Sequence, residues 1–278
     1  MNDIFKLGQA GDSKDFILFL LEQLHTELKR PCSNYQIKDN SPLNQYDRKN
    51  SLNHFLDEFK KELSVVTDLF YGVHETRTIC FNCKQNFGSQ GGNYPICYNF
   101  QIFNFIVFPL EEVRIMKNKK NFNNSNNNVV SIYDCFNYAQ EPVIFTGENK
   151  NHCNICRKLN DSSYTTLIYS SPNILILILN RGKDNKYKVK IDFSEEIDIN
   201  DYVQLKSPDK RLKYTLIGVI THIGESGANA HFVASCRSSV NNKWYRFNDA
   251  LVHMINNVQK EIIDFCNPYI LFYRRNNK

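Results

Sequence analysis

Long apolar runs are absent from this 278-residue sequence: the longest purely aliphatic stretch, Ile174 to Leu179, has six residues, against the roughly 20 that a membrane-spanning helix needs. No membrane crossing by a helix is expected. The N-terminus, Met1-Asn2-Asp3-Ile4-Phe5-Lys6, lacks the basic start, apolar stretch and small-residue cleavage site of a secretory signal. An excess of one charge is also missing. The 34 Lys and Arg residues face 29 Asp and Glu, for a formal net charge of +5 with the signs interleaved, and so mild a balance gives no argument for nucleic acid. Disorder is excluded by composition, since 42% of residues are hydrophobic and 23% charged, enough to bury a sizeable core. No internal repeat is visible, and the length suits one large domain or two ordinary ones. An even cysteine count is lacking as well. Nine cysteines without a secretory signal point to a reducing compartment, cytoplasmic or nuclear, where thiols serve metals or catalysis rather than a disulfide framework.

What is present begins with helices. Asp12-Ser13-Lys14-Asp15 resembles a capping box, and Phe16, Ile17, Leu20, Leu21, Leu24 and Leu28 recur at three- and four-residue spacing until Pro31. This predicts a helix over about 12–30. Ser51 is the expected cap of a second, carrying Leu52, Phe55, Leu56, Phe59 and Leu63. From Ile96 the period changes to an alternation typical of strands, and the aromatic-rich stretch Tyr98 to Phe108 reads as core. Residues 121–128 are almost all asparagine and serine, a solvated insertion without function. A short helix over Ser131–Tyr138 precedes strand-like runs at Thr165–Ser170, Ile174–Asn180, Tyr214–Ile223, His231–Arg237, Lys243–Asn248 and Tyr269–Arg274. Helices first and strands afterwards predict an α+β architecture.

Two Cys-x-x-Cys pairs stand out, Cys80/Cys83 and Cys153/Cys156; random placement of the cysteines would give only about 0.3 such pairs. Each two-residue gap lets both sulfurs of a knuckle reach one ion, and two knuckles supply the four thiolates of a closed, structural Zn2+ site. Such a site is expected to clamp two hairpins that are distant in sequence. Ordinary reduced cysteines or a redox pair are the alternatives. Cys32, Cys97, Cys135, Cys236 and Cys266 lack this spacing and read as small buried hydrophobes.

The segment Tyr214 to Asp249 reads as a β-meander that puts His231 directly after a small-residue loop and returns Asn248 and Asp249 on a later strand. An imidazole with an amide or carboxylate partner suits a general base, because one ring nitrogen takes the proton while the other is held. His222 reads as a structural hydrogen-bonding residue on the preceding strand. His25, His54, His74 and His253 read as surface or packing residues, and Trp244, the only tryptophan, as packing.

These residues resemble the ubiquitin-specific proteases, the papain-like family of deubiquitinating enzymes. Val219-Ile-Thr-His-Ile-Gly224, then His231-Phe-Val-Ala, then Trp244-Tyr-Arg-Phe-Asn-Asp249 are similar to that family's histidine box in order and spacing. Asp12-Ser-Lys-Asp-Phe resembles the helix after its Gln-Gln-Asp motif, the paired cysteines resemble its zinc-bearing fingers, and Pro172 to Arg181 resembles the strand before its substrate cleft.

The resemblance implies a papain-like thumb, palm and fingers: a helical thumb over about 1–75, zinc-bearing fingers over about 76–170 and a β-rich palm over about 171–278. It implies His231 as general base, Asn248 as the residue orienting it and Asp249 as a neighbouring alternative. Gly224, Glu225, Ser226, Gly227, Ala228, Asn229 and Ala230 would border the channel for the ubiquitin tail. The resemblance also implies a single domain over residues 1–278 and, as the partner of a monomer, ubiquitin or a ubiquitinated protein. The family's nucleophile stands in an Asn-Thr-Cys box before the Gln-Gln-Asp helix, and no cysteine here stands in such a box. The expectation is therefore a thumb without its N-terminal part, inactive alone, with apolar surface left on the 12–30 helix. The alternative is a non-catalytic ubiquitin-binding module; a zinc-ribbon nucleic-acid binder is a third reading. Gln9-Ala-Gly-Asp12 and Ala230 depart from the family pattern.

Overall fold

Asp12 Oδ1 accepts the Lys14 backbone N–H at 2.7 Å and starts α1 (Ser13–Glu27). In the computed structural model, which describes residues 11–30, 42–88, 93–120, 128–182, 186–204, 212–224, 231–264 and 267–276, Asp15 does not complete a capping box but pairs with Lys14 Nζ at 3.1 Å. Only part of the apolar stripe of α1 is used. Leu21 is buried and Ile17 half-buried, while Phe16, Leu20, Leu24 and Leu28 remain 37–51% exposed.

The second helix, α2 (Arg48–Phe59), starts before the expected cap: Asp47 accepts the Lys49 and Asn50 N–H groups at 2.9 and 3.3 Å. Ser51 is instead buried, and its hydroxyl donates to the Tyr98 carbonyl at 2.9 Å, fixing α2 to a strand. A third helix, α3 (Val65–Phe70), was not legible. It is shorter than two turns, too brief for a periodic signal, and rests on a capping box between Ser64 and Thr67.

The chain then runs through β1 (Gly72–Cys80), α4 (Phe81–Gly88), β2 (Cys97–Phe103), β3 (Ile106–Pro109), α5 (Leu110–Lys120), β4 (Val129–Ser131) and α6 (Ile132–Ala139). Next come β5 (Val143–Phe145), β6 (Asn151–Cys153), β7 (Lys158–Asn160), β8 (Ser162–Ser170), β9 (Ile174–Asn180), β10 (Lys190–Asp192) and β11 (Glu196–Asp198). The last are β12 (Lys213–Ile223), β13 (His231–Arg237), β14 (Trp244–Asn248), β15 (Leu251–Ile255) and β16 (Pro268–Arg275). The sequence missed β1 because Glu75, Thr76 and Arg77 interrupt its apolar alternation, and α5 because it buries only Leu110 and Val113. Of the asparagine-rich segment, residues 121–127 lie outside the described residues.

Two sheets organise most of these strands, while β10 with β4 and β6 with β7 form two-stranded pairs. The smaller has the order β2-β1-β8-β5; the larger runs β15-β14-β13-β12-β16-β9-β3, with β11 beside β12. The six-residue aliphatic run is β9, and both its faces are covered. Leu175, Leu177 and Leu179 join Phe108, Phe136, Tyr214 and Tyr273 in one core, while Ile176 and Ile178 join Leu21, Val66 and Ile270 in a second. Double burial is why this strand reads as an unbroken apolar run. The N-terminal helices divide between the sheets. α1 and α3 supply Leu21 and Val66 to the large sheet, whereas α2 is tied to the small one through Arg48, which pairs with Glu75. Two expectations fail here. Cys236 is exposed, and Ile102 and Val107 within the aromatic-rich stretch are 44% and 41% exposed because they lie on outward faces.

Candidate active site and metal centre

Neighbouring antiparallel strands bring the start of one beside the end of the next. β12 and β13 pair with Ile223 opposite His231, β13 and β14 with Ala234 opposite Phe247, so His231 at the head of β13 meets Asn248 at the tail of β14. His231 Nε2 lies 2.5 Å from Asn248 Oδ1. An amide oxygen only accepts, so Nε2 is the donor and Nδ1 carries the lone pair that can take a proton. Asp249 follows at φ 52 in the tight turn into β15; its Oδ2 is 3.7 Å from Nε2 and its side chain 83% exposed. Of the two candidate partners, Asn248 makes the hydrogen bond. Gly224 follows β12 with φ 92, a left-handed conformation suited to glycine. The other expected channel residues, Glu225, Ser226, Gly227, Ala228, Asn229 and Ala230, lie outside the described residues.

One rung from His231, His222 pairs with Phe232 and meets its ring edge-on at 4.9 Å. Both line a cleft of about 410 Å³ shared with Asp12, Lys14, Arg181 and Tyr269. Tyr269 Oη donates to Asp12 Oδ2 at 2.8 Å, tying the start of α1 to β16. Burial, reinforced by the Asp12 carboxylate, raises the Tyr269 phenol well above its ordinary range and keeps it a donor. Arg181 is buried, with Nε donating to the Val189 carbonyl at 3.3 Å. Sequence reasoning missed Tyr269 as a cleft residue. Its partner stands 257 residues away, and no local pattern links them.

The remaining candidates gather elsewhere. Cys80 ends β1 and Cys83 lies in α4; Cys153 ends β6 and Cys156 sits in the turn to β7, where Arg157 has φ 54. The expected pair of hairpins is thus one hairpin and one strand-to-helix corner. All four Sγ atoms lie within 4.8 Å of one another, with Cys80–Cys156 at 3.9 Å and Cys83–Cys153 at 3.7 Å. Four sulfurs at the Zn–S bond length of a tetrahedral ion stand about 3.8 Å apart, so the set fits zinc. Burial pushes the Cys80 and Cys83 thiols up. It does the same to Cys153, but N–H groups of Cys156 and Ile155 and the neighbouring thiols outweigh it and lower that thiol to about 7. Without a cation these sulfurs resist ionising together; a divalent ion resolves the conflict. Asn160 Nδ2 donates to Cys156 Sγ at 3.2 Å, an outer contact that orients the ligand.

The sequence model of the ubiquitin carboxyl-terminal hydrolase family matches residues 1–273. The chain belongs to this family. Among curated relatives it is 23% identical over 301 residues to probable ubiquitin carboxyl-terminal hydrolase 4 of Schizosaccharomyces pombe, covering 100% of the chain and 45% of the relative. It is 24% identical to ubiquitin carboxyl-terminal hydrolase 25 of Arabidopsis thaliana, covering 99% of the chain and 35% of that protein. The chain thus spans less than half the length of these relatives. Among solved structures, a SAGA DUB module of Ubp8 with Sgf11, Sus1 and Sgf73 gives a TM-score of 0.63 at 20% identity, over 99% of this chain and 52% of that one. The SAGA Ubp8/Sgf11/Sus1/Sgf73 DUB module bound to ubiquitin aldehyde gives 0.61 at 20% identity, over 96% and 49%. The α+β fold is therefore the papain-like fold of this family, and its four-cysteine cluster could bind a structural zinc ion.

Proposed function

We propose that this chain binds the C-terminal tail of ubiquitin and supplies the general-base half of a cysteine-protease centre. The observation carrying this reading is the His231 Nε2–Asn248 Oδ1 hydrogen bond, which leaves Nδ1 as the proton acceptor. A thiol presented to Nδ1 gives up its proton, the thiolate attacks the carbonyl carbon of the terminal glycine, and the imidazolium returns the proton to the leaving amine. Water then attacks the acyl-enzyme with His231 again as base. Asn248 fixes the ring throughout; Asp249 stands beside it as a second, weaker partner. Gly224 borders the tail, the cleft at Asp12 and Tyr269 receives it, α1 and α3 form the thumb, the small sheet the fingers and the large sheet the palm.

A second reading, a non-catalytic ubiquitin-binding module, is favoured by one observation: among the described residues no cysteine sulfur bonds His231. Native mass spectrometry of the chain with ubiquitin bearing a thiol-reactive C-terminus tests the ubiquitin recognition that both readings share and whether this chain supplies the nucleophile. The expected result is a reversible one-to-one complex carrying one zinc and no adduct. A covalent adduct lost on His231→Ala shows that one of the nine cysteines is the nucleophile. Absence of any complex overturns ubiquitin recognition by this chain.

A further inference from the structure

β15 is the terminal strand of the large sheet. It joins β14 through the two-residue turn Asp249–Ala250, with Asn248 opposite Leu251, Phe247 opposite Val252, Arg246 opposite His253 and Tyr245 opposite Met254. Ladder bonds alternate along an antiparallel pair, and the pair closing a two-residue turn exchanges them. Arg246/His253 and Trp244/Ile255 then exchange the next two sets. The far side of β14 agrees: Ser238 N–H donates to the Lys243 carbonyl at 2.9 Å, so Tyr245 and Phe247 direct their backbone groups to β13. By the same alternation Val252 and Met254 aim N–H and C=O outward, where no described strand pairs with them.

Native sheets usually protect such an edge with lysine, proline, a bulge or a covering loop. This strand reads Leu-Val-His-Met-Ile and has none of these in its sequence or register. One face is apolar, with Val252 57%, Met254 42% and Phe247 42% exposed. The other carries the guanidinium of Arg246, whose Nη2 donates to the Glu261 carbonyl at 2.8 Å, opposite His253, with Leu251 69% exposed at the turn end. The acids nearest in sequence are otherwise placed: Asp249 lies at the hairpin tip, and Glu261 accepts from the Asn256 and Asn257 N–H groups. Open backbone groups select an extended occupant, and the two faces select its side chains.

We propose that β15 is a docking edge for an extended peptide segment of a partner protein that alternates apolar and acidic residues. The apolar residues lie against Val252, Met254 and Phe247; the acids face His253 and Arg246. The docked strand abuts the hairpin that carries Asn248 at its end, so the site adjoins the active centre without overlapping the cleft.

The test uses the whole chain and a fluorescent, terminally blocked heptapeptide alternating glutamate and valine. Saturable binding by anisotropy is expected. Val252→Pro removes only an outward-facing N–H, a position where edge strands accept proline, and is expected to weaken binding about tenfold or more. Met254→Lys is expected to weaken it with no change of backbone, which keeps the test valid if the proline variant misfolds. A peptide N-methylated at its valines is expected not to bind. Equal affinity of the wild-type chain and Met254→Lys, equal binding of the N-methylated peptide, or no saturation at millimolar peptide overturns the proposal. So does a chain dimer that Val252→Pro dissolves, because the occupant is then a second copy.

Discussion

In the large sheet, β9 and β16 place Leu175, Ile176, Leu177, Ile270, Leu271 and Tyr273 at 0–1% exposure, with apolar side chains packed on both faces. In the small sheet, β1 and β8 bury Glu75, Thr76, Ser162 and Ser163 alongside Val73 and Ile168. The carboxylate of Glu75 is wholly buried, bonded by Arg48 Nε at 3.0 Å and by Arg77 Nε at 2.7 Å. Burial would raise that carboxyl, but the bonds from the two arginines hold it below its ordinary value. A sheet with this little apolar interior needs staples. The staples are ionic at the α2 end and metallic at the other, where Cys80 and Cys83 meet Cys153 and Cys156. The lesson is that one chain stabilises two sheets by different means, and only one of them answers to chelators and acid.

Zinc removal breaks the comparison most severely. A structural four-thiolate site contributes on the order of 10 kcal/mol of apparent folding free energy in small zinc domains. Chelation, or Cys83→Ser, is therefore expected to release β1, α4 and β6–β8 to fast hydrogen exchange while β9 and β16 stay protected. Uniform loss of protection would mean that the two sheets unfold as one unit. Next in size, Leu177→Ala removes a side chain of 0% exposure from the large sheet and should cost about 2–5 kcal/mol in urea denaturation, with zinc still bound.

Acid sharpens the comparison through His74 on β1, which stacks on Phe103 at 4.0 Å and whose pKa burial lowers to about 4. The unfolded chain takes up this proton near pH 6.5 and the folded chain only near 4. Stability is therefore complete above pH 6.5 and falls as pH drops through that window, by on the order of 2 kcal/mol after allowance for partial solvent access. Thermal melts of wild type and His74→Phe across this range should converge at high pH and diverge at low pH; parallel curves would remove His74 as the cause. The smallest effect is expected at the proposed catalytic pair. Asn248→Ala lies at a strand end and should shift stability by about 0.5 kcal/mol or less; a drop of several kcal/mol would make Asn248 a structural residue.

Much of the large sheet was legible in the sequence. β9 and β13 have the expected bounds, because an aliphatic run and a clear alternation survive wherever a strand meets an apolar core. The small sheet was harder to read: β1 carries Glu75 and Arg77, a pair that looks like a solvated loop until Arg48 arrives from α2. The start of α2 was misplaced for a related reason. Asp47 and Ser51 are equally good caps by residue type, and only the Tyr98 carbonyl, brought near by β2, gives Ser51 another partner.

By itself the sequence determined what chemistry is local: the metal knuckles, whose two-residue gaps are a covalent constraint, and the separation of His231 from Asn248, set by the length of a β-meander. Tertiary structure alone decided which distant groups share a site. Asp12 reaches Tyr269 across 257 positions, and Glu75 is buried between two arginines on different elements. Such contacts depend on chain crossings, and a linear pattern carries no record of the crossing that brings two polar groups within hydrogen-bond distance.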